Sequence, residues 1–544
     1  MWLKWGSMSR DAVIFHHPDG VETNRKNLMG RHAAGEGFLR GYVRHSGASE
    51  FHAHTLNADH FKDFVSRIHD FSDLNPACRR IDSEQMDGTG VPGTLMLPGP
   101  DLSPFAWRRR MRGNASYSLC GVNHTVSSAR VMDSLGGLVT SPTMAWDALI
   151  CTSQSSRSAM RHVMDTYMEY LGERIGVKPT LELQMPVIPL GVDCGAFARS
   201  AATLADRNSL RTGLGIATDD IALLFVGRLS FHAKAHPLAM YVATEAAARR
   251  SGKKVHIIQA GWFANDSIER EFREAAHEFC PSVNAIFLDG RDADVRRRIW
   301  RAADIFVSLS DNIQETFGLT PIEAMAAGIP VVVSDWDGYR ETVNDGVHGF
   351  TVPTWMPGGG NGEDLIIAPE LDVLNSADDH VYDRYCGNVS QATVVDVDAC
   401  ADALSMLCSD DDKRHAMGEA GRVRAGEMYD WQVVIAQYQD LWEDLEARRA
   451  RAFNDAVDAS GKAAVPPLRA DPFAMFESYA TKSINLDTRI HLVDGVEISS
   501  VKARLAFSMN NFALNKMMDE AGLTEVVKML ATDGSLNVGE IQRA

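Results

Sequence analysis

No stretch of this 544-residue chain approaches the roughly 18 consecutive apolar residues of a membrane-spanning helix, so a transmembrane segment is not expected. The opening residues, Met1-Trp2-Leu3-Lys4-Trp5, carry no apolar h-region, and no signal peptide is read there. Cysteine is sparse: eight residues, none in CxxC or metal-ligand spacing. Several lie in apolar runs such as Leu149-Ile150-Cys151, which points to reduced, buried thiols rather than disulfides or zinc. Positive charge is also short, since 54 Lys and Arg face 72 Asp and Glu for a formal charge of -18. That balance opposes general nucleic-acid binding and any broad basic face for anionic lipids. No internal repeat is present. These absences describe a soluble, cytoplasmic protein.

What is present is ordinary globular material, 45% hydrophobic and 23% charged, enough for two to four domains. Short apolar runs alternate with longer amphipathic ones, the βα pattern of parallel sheets covered by helices. The first half offers strands at Ala12–Phe15, Phe51–Leu56, Gly93–Leu97, Ser118–Val122, Asp147–Thr152 and Gln184–Pro189. After a polar stretch a second series opens, with strands at Ile221–Val226, Lys254–Ala260, Asn284–Leu288, Asp304–Leu309 and Pro330–Ser334. The expected organisation is one α/β domain over 1–195 and a second over 196–429. Within the second, 354–398 reads as an aperiodic insertion loop. A long helix over 430–456 follows. A linker and a small helical or winged-helix-like module then occupy 457–544.

One corner of the second half carries the chemistry. A strand ends near Leu309, a loop of small and polar residues follows, and a short helix is expected with Thr320 as N-cap and Pro321 at its first position. Gly328 closes that helix before Pro330-Val331-Val332-Val333. Such a corner points free backbone N–H groups and a positive dipole end into the crevice above the sheet, where open α/β folds bind anionic ligands. Glu315 and Glu323 flank it. Eight residues apart, they would stand about 12 Å from each other along a helix, suiting two ends of an extended ligand. Glu323 has a second reading, because Thr320-x-x-Glu323 is also a capping box that needs no ligand. A second cluster, Gly227-Arg228-Leu229-Ser230-Phe231-His232-Ala233-Lys234, ends the Ile221–Val226 strand. A leaving diphosphate needs fixed cations, and Arg228 with Lys234 supplies them, unless they are only solvated surface groups. In the first half, Gly30-Arg31-His32-Ala33-Ala34-Gly35-Glu36-Gly37 follows the first strand and reads as a glycine-rich loop or a simple turn. His124, after the Ser118–Val122 strand, is a candidate site residue or a capping histidine. Asp292-Ala293-Asp294 has DxD spacing, but the helix start that follows explains its acids.

The run Glu315–Glu323 with Gly328-Ile329-Pro330-Val331-Val332-Val333-Ser334 resembles family 4 of the retaining glycosyltransferases, marked by E-x7-E and a GT-B fold. The resemblance implies two Rossmann-like domains facing a cleft, with the 430–456 helix crossing back to the first domain. It implies transfer of a sugar, with retention, from a UDP- or GDP-sugar to an acceptor hydroxyl that stays unspecified, with no cofactor and no metal. Glu315 would hold the transferred sugar and Glu323 the ribose. The N–H groups of Phe317, Gly318 and Leu319, next to Thr320, would contact sugar or phosphate. Gly227, Arg228 and Lys234 would meet the diphosphate, Gly35 and Gly37 would approach it from the first domain, and His124 would orient sugar or acceptor. The family spaces its lysine five residues after the arginine, whereas Lys234 lies six after Arg228. A non-catalytic sugar-nucleotide-binding scaffold and a sugar-nucleotide epimerase are the rival readings. The 457–544 region is a candidate for homo-oligomer or partner contact.

Overall fold

Twelve of the chain's strands form two parallel six-stranded sheets with one and the same order. In a computed structural model, residues 10–23, 30–200, 204–366, 379–456, 466–513, 516 and 518–544 are described. The opening Met1–Trp5 and residues 457–465 at the start of the expected linker lie outside the described residues, as do 367–378 of the expected insertion. The first sheet contains β1 (Val13–Phe15), β2 (Glu50–His54), β3 (Ala77–Arg80), β4 (Thr94–Leu97), β5 (Ser118–Val122) and β6 (Ala148–Ile150). Its order is β3-β2-β1-β4-β5-β6. The second contains β7 (Ile221–Val226), β8 (Val255–Gly261), β9 (Asn284–Asp289), β10 (Ile305–Ser308), β11 (Val331–Ser334) and β12 (Gly349–Val352), in the order β12-β11-β10-β7-β8-β9. Both are doubly wound Rossmann sheets. In each, the strand order reverses beside the first strand, between β1 and β4 and between β7 and β10, and crevices for ligands open at such reversals.

The central strands are buried along their whole length, which is why they appear in the sequence as unbroken apolar runs. β3 escapes such a reading because Ala-Cys-Arg-Arg at a sheet edge alternates exposed and half-buried positions. The expected Gln184–Pro189 strand is reduced to isolated bridges, Ala148 with Gln184 and Cys151 with Val187. Pro186 and Pro189 have no N–H to continue a ladder.

The Trp431–Ala456 helix packs on the first sheet's layer, with Trp431, Val434, Ile435, Tyr438, Trp442 and Leu445 in one cluster with Leu39, Tyr42 and Phe51. This contact explains the glycines expected to form a loop. They do not: Gly30–His45 is a helix, and Gly35 and Gly37 lie inside it. A Cβ on Gly37 would come within 3.1 Å of the Trp431 ring and one on Gly41 within 2.7 Å, while one on Gly35 would meet the Gly20 carbonyl. These glycines serve close helix packing, so a loop reaching for phosphate is not what they form.

The expected 354–398 loop is also corrected, since it contains a 13-residue helix, Asp379–Gln391, and a short antiparallel pair, Thr354–Trp355 with Val394–Val395. All eight cysteines are free thiols. Among the described residues no helix is long and apolar enough to cross a membrane. Residues 465–544 form a separate compact unit. In it, the expected Ser500–Ala521 helix is broken into Ile498–Leu505 and Ser508–Asn511, followed by Glu520–Asp533, and Arg489–His491 pairs with Ser535–Asn537.

Candidate functional site

The reversal of the second sheet brings together the segments that follow β7 and β10. After β7, Gly227 (φ 154°) turns the chain and Arg228 donates from Nη2 to the Ala233 carbonyl at 2.7 Å. The His232 carbonyl accepts from Asn312 Nδ2 at 3.0 Å, tying this turn to the segment after β10. The extra residue between Arg228 and Lys234 is absorbed in that turn, and the Lys234 ammonium lands on the Glu315 carboxylate as a largely buried ion pair. Burial pushes the Glu315 carboxyl upward. The Lys234 charge and the N–H groups of Phe317 and Thr316 outweigh it and hold the group below its usual range.

The helix beyond Glu315 begins two residues earlier than expected, spanning Leu319–Ala326 with Gly318 as its N-cap. Thr320 therefore caps nothing. It lies inside the first turn, where its hydroxyl bonds Tyr339. The capping-box reading of Glu323 falls with it. Pro321 still sits where a missing N–H has no intrahelical partner to lose. Gly318 adopts φ 87°, and a Cβ there would enter the Tyr339 ring, so no other residue fits without rearrangement. Among the described residues, the N–H groups of Gly318 and Leu319 donate to no acceptor, while that of Phe317 is engaged by Glu315. Glu323 is half-buried, and burial alone drives its carboxyl up to about 7.

The first domain faces this corner directly. His124, half-buried after β5, accepts through its carbonyl from Thr316 Oγ1 at 3.0 Å. Burial, then the nearby Arg31 guanidinium, push its imidazole down to about 4, so the ring is neutral at physiological pH. After β6, Ser153 Oγ donates to the Thr316 carbonyl at 2.7 Å. The backbone N–H of Gln154, opening the Gln154–Ile175 helix, donates to Glu341 Oε1 at 2.7 Å. A void of about 10 Å³, room for no more than a single water, adjoins Arg228 and is lined also by Phe225, His236, Gln259 and Leu309. That is far below the roughly 300–1,000 Å³ of ligand pockets, so this void is packing space within the second domain.

The structure thus groups Arg228, Lys234, Glu315, Phe317, Gly318, Leu319 and Glu323 at one corner of the second domain, with His124 opposite, and leaves Gly35 and Gly37 in a packed helix. It also adds Asp337, which sequence reasoning passed over. Asp337 has φ 47°, uncommon for a residue other than glycine, and its carboxyl is pushed well above its ordinary range by burial and by Glu315. Ser153 Oγ reaches its Oδ1 at 3.4 Å from the other domain. The available signal was Asp335-Trp336-Asp337-Gly338 directly after a strand. The Asp292-x-Asp294 pair is explained by its helix, because Asp292 caps Ala293–Arg298.

Residues 206–355 match the family model described as Glycosyl transferases group 1, a span that holds Arg228, Lys234, Glu315 and Glu323. A D-inositol 3-phosphate glycosyltransferase of Geodermatophilus obscurus is 36% identical over 175 residues, covering 30% of this chain and 36% of that protein. The protein of the same name from Corynebacterium kroppenstedtii is 26% identical over 278 residues, covering 50% of this chain and 51% of its own. The chain thus spans between about a third and a half of the length of these relatives. Among solved structures, Anabaena HepE in complex with UDP aligns with a TM-score of 0.50 at 14% identity, over 80% of this chain and 100% of that one. A likeness at that identity speaks to fold. The two facing Rossmann sheets are a GT-B architecture, and within its second half residues 206–355 are similar to the group 1 glycosyl transferases.

Proposed function

We propose that this protein is a retaining glycosyltransferase that moves a sugar from a nucleoside-diphosphate sugar to an acceptor hydroxyl. The observation that carries the reading is the corner at the β7/β10 reversal, where Lys234 and Glu315 meet beside unengaged N–H groups of Gly318 and Leu319. The named activity of the curated relatives and the UDP held by HepE support it.

In this reading the diphosphate lies over the 319–326 helix start, where N–H groups and the dipole favour anions. Arg228 and Lys234 stabilise the charge that develops as the glycosidic C–O bond to the diphosphate breaks, the part a metal ion takes in other transferases. Glu315 exchanges its ammonium partner for hydroxyls of the transferred sugar. Glu323 accepts hydrogen bonds from the ribose. The acceptor oxygen approaches on the face the diphosphate leaves, passing its proton to a departing phosphate oxygen, so configuration is retained without an enzymic nucleophile. His124, neutral, orients sugar or acceptor as a hydrogen-bonding group and not as a cation.

A thermal-shift panel of UDP-, GDP- and ADP-sugars identifies the donor, and NMR of the product gives its anomeric configuration. The expected product is retained, and Glu315→Gln is expected to lower kcat by about 10²–10³-fold while the fold persists. An inverted product excludes the mechanism, and undiminished turnover in Glu315→Gln excludes the site.

A further inference from the structure

The Asp379–Gln391 helix lies in the segment to which no role attaches above, yet it touches both halves of the site. On the donor side, Asp383 Oδ1 stands 3.8 Å from Arg228 Nη1, and its Oδ2 is 3.3 Å from His232 Nε2. The helix approaches so closely that a Cβ on Gly387 would come within 2.9 Å of the His232 Cβ. One residue before Asp383, the Tyr382 hydroxyl accepts from Ser127 Oγ at 3.2 Å, three residues beyond His124 in the other domain.

Arg228 is thereby bracketed. Its Nη2 is committed to the Ala233 carbonyl, and its Nη1 faces a carboxylate. Arg228 and Asp383 are only 20% and 19% exposed, so solvent screens their interaction incompletely. A diphosphate that engages Arg228 brings its negative charge next to this carboxylate, and two anions at one guanidinium oppose each other.

We propose that Asp383 is a positioning residue of the donor site: it holds Arg228 and His232 whenever the diphosphate does not, weakens nucleoside-diphosphate binding through its charge, and reclaims Arg228 as that product leaves. The inference rests on the donor reading of Arg228 given above. Tyr382 gives it reach, because a shift of this helix to release Arg228 also strains the contact to Ser127 across the cleft.

Isothermal titration of the full chain with UDP, GDP and ADP, on wild type, Asp383→Asn, Asp383→Glu and Arg228→Ala, tests this. Asp383→Asn keeps the shape and removes the charge. It is expected to bind the preferred diphosphate about fivefold tighter, the scale of one partly screened ion pair. In steady-state kinetics it should lower both the donor KM and kcat, since tighter product leaves more slowly, and Asp383→Glu should restore wild-type values. A purely structural residue would instead raise KM and lower Tm. Unchanged or weaker binding in Asp383→Asn, with Arg228→Ala still weakening it, overturns the role of Asp383 and leaves the donor site standing. Binding that ignores Arg228→Ala, or no binding by any variant, overturns both.

Discussion

Glu323 shows how a single side chain sets a measurable pH dependence. Its carboxyl, ordinarily near 4.5, titrates at about 7 because burial penalises the anion and no described group offsets that cost. Between those values the folded protein holds a proton that the unfolded chain has released. The stability attached to the group is therefore complete below 4.5 and is lost as pH rises through 7. Glu323→Gln, which cannot ionise, should match the parent Tm at pH 4.5 and exceed it at pH 8, as a thermal melt would read. Binding should run the other way. The ionised carboxylate is the better acceptor for two ribose hydroxyls, so donor affinity should weaken as pH falls below 7, and Glu323→Gln should abolish that dependence. Asp311, also raised to about 7 by burial, is common to both proteins and cancels in the comparison. The sequence offered Glu323 both a ligand-binding and a capping role. Only the observed helix start, two residues early, removes the capping alternative.

At the scale of an element, the glycine cap of the 319–326 helix tolerates little change. Gly318→Ala faces both a left-handed backbone and the Tyr339 ring, whereas Gly328, at φ 74°, has nothing within 4 Å of a Cβ. Backbone strain alone costs about 1 kcal/mol at Gly328, and strain plus steric conflict costs about 3 kcal/mol or more at Gly318. Urea unfolding should separate the two variants by that margin, and equal losses would contradict the close approach. Most elements here were legible because their residues speak locally. Val331-Val332-Val333 can only be a buried strand, and Asn57 caps Ala58–Phe71 through His60 N at 2.9 Å. Those that misled took their conformation from a distant neighbour. Gly35 and Gly37 resemble a phosphate loop until the Gly20 carbonyl is seen against the first and Trp431, far along the chain, against the second. The Asp379–Gln391 helix lies beside loops from both sheets that no local rule connects to it.

Across the whole molecule, the two sheets are joined where their strand ends meet, through Thr316 with His124 and Ser153 and through Glu341 with Gln154. The four apolar cores are assembled from residues 12–445. The unit that begins at Val465 buries one apolar side chain among its described residues, Leu530, and exposes Phe473, Tyr479, Met509 and Phe512. A chain ending at Ala464 should therefore melt at the parent's Tm and bind nucleoside diphosphate unchanged, while any self-association carried by 465–544 disappears in light scattering. A lower Tm would show that the cores are not self-sufficient. By itself the sequence determined the βα alternation, the paired sheets and the Glu315, Arg228 and Lys234 cluster, because burial periodicity and strand-end chemistry are local properties of the chain. Only the tertiary structure decided that Lys234 faces Glu315, that Asp337 and Asp383 join the site and that the early glycines serve packing. Those depend on contacts between residues tens to hundreds of positions apart, which no short window of sequence contains.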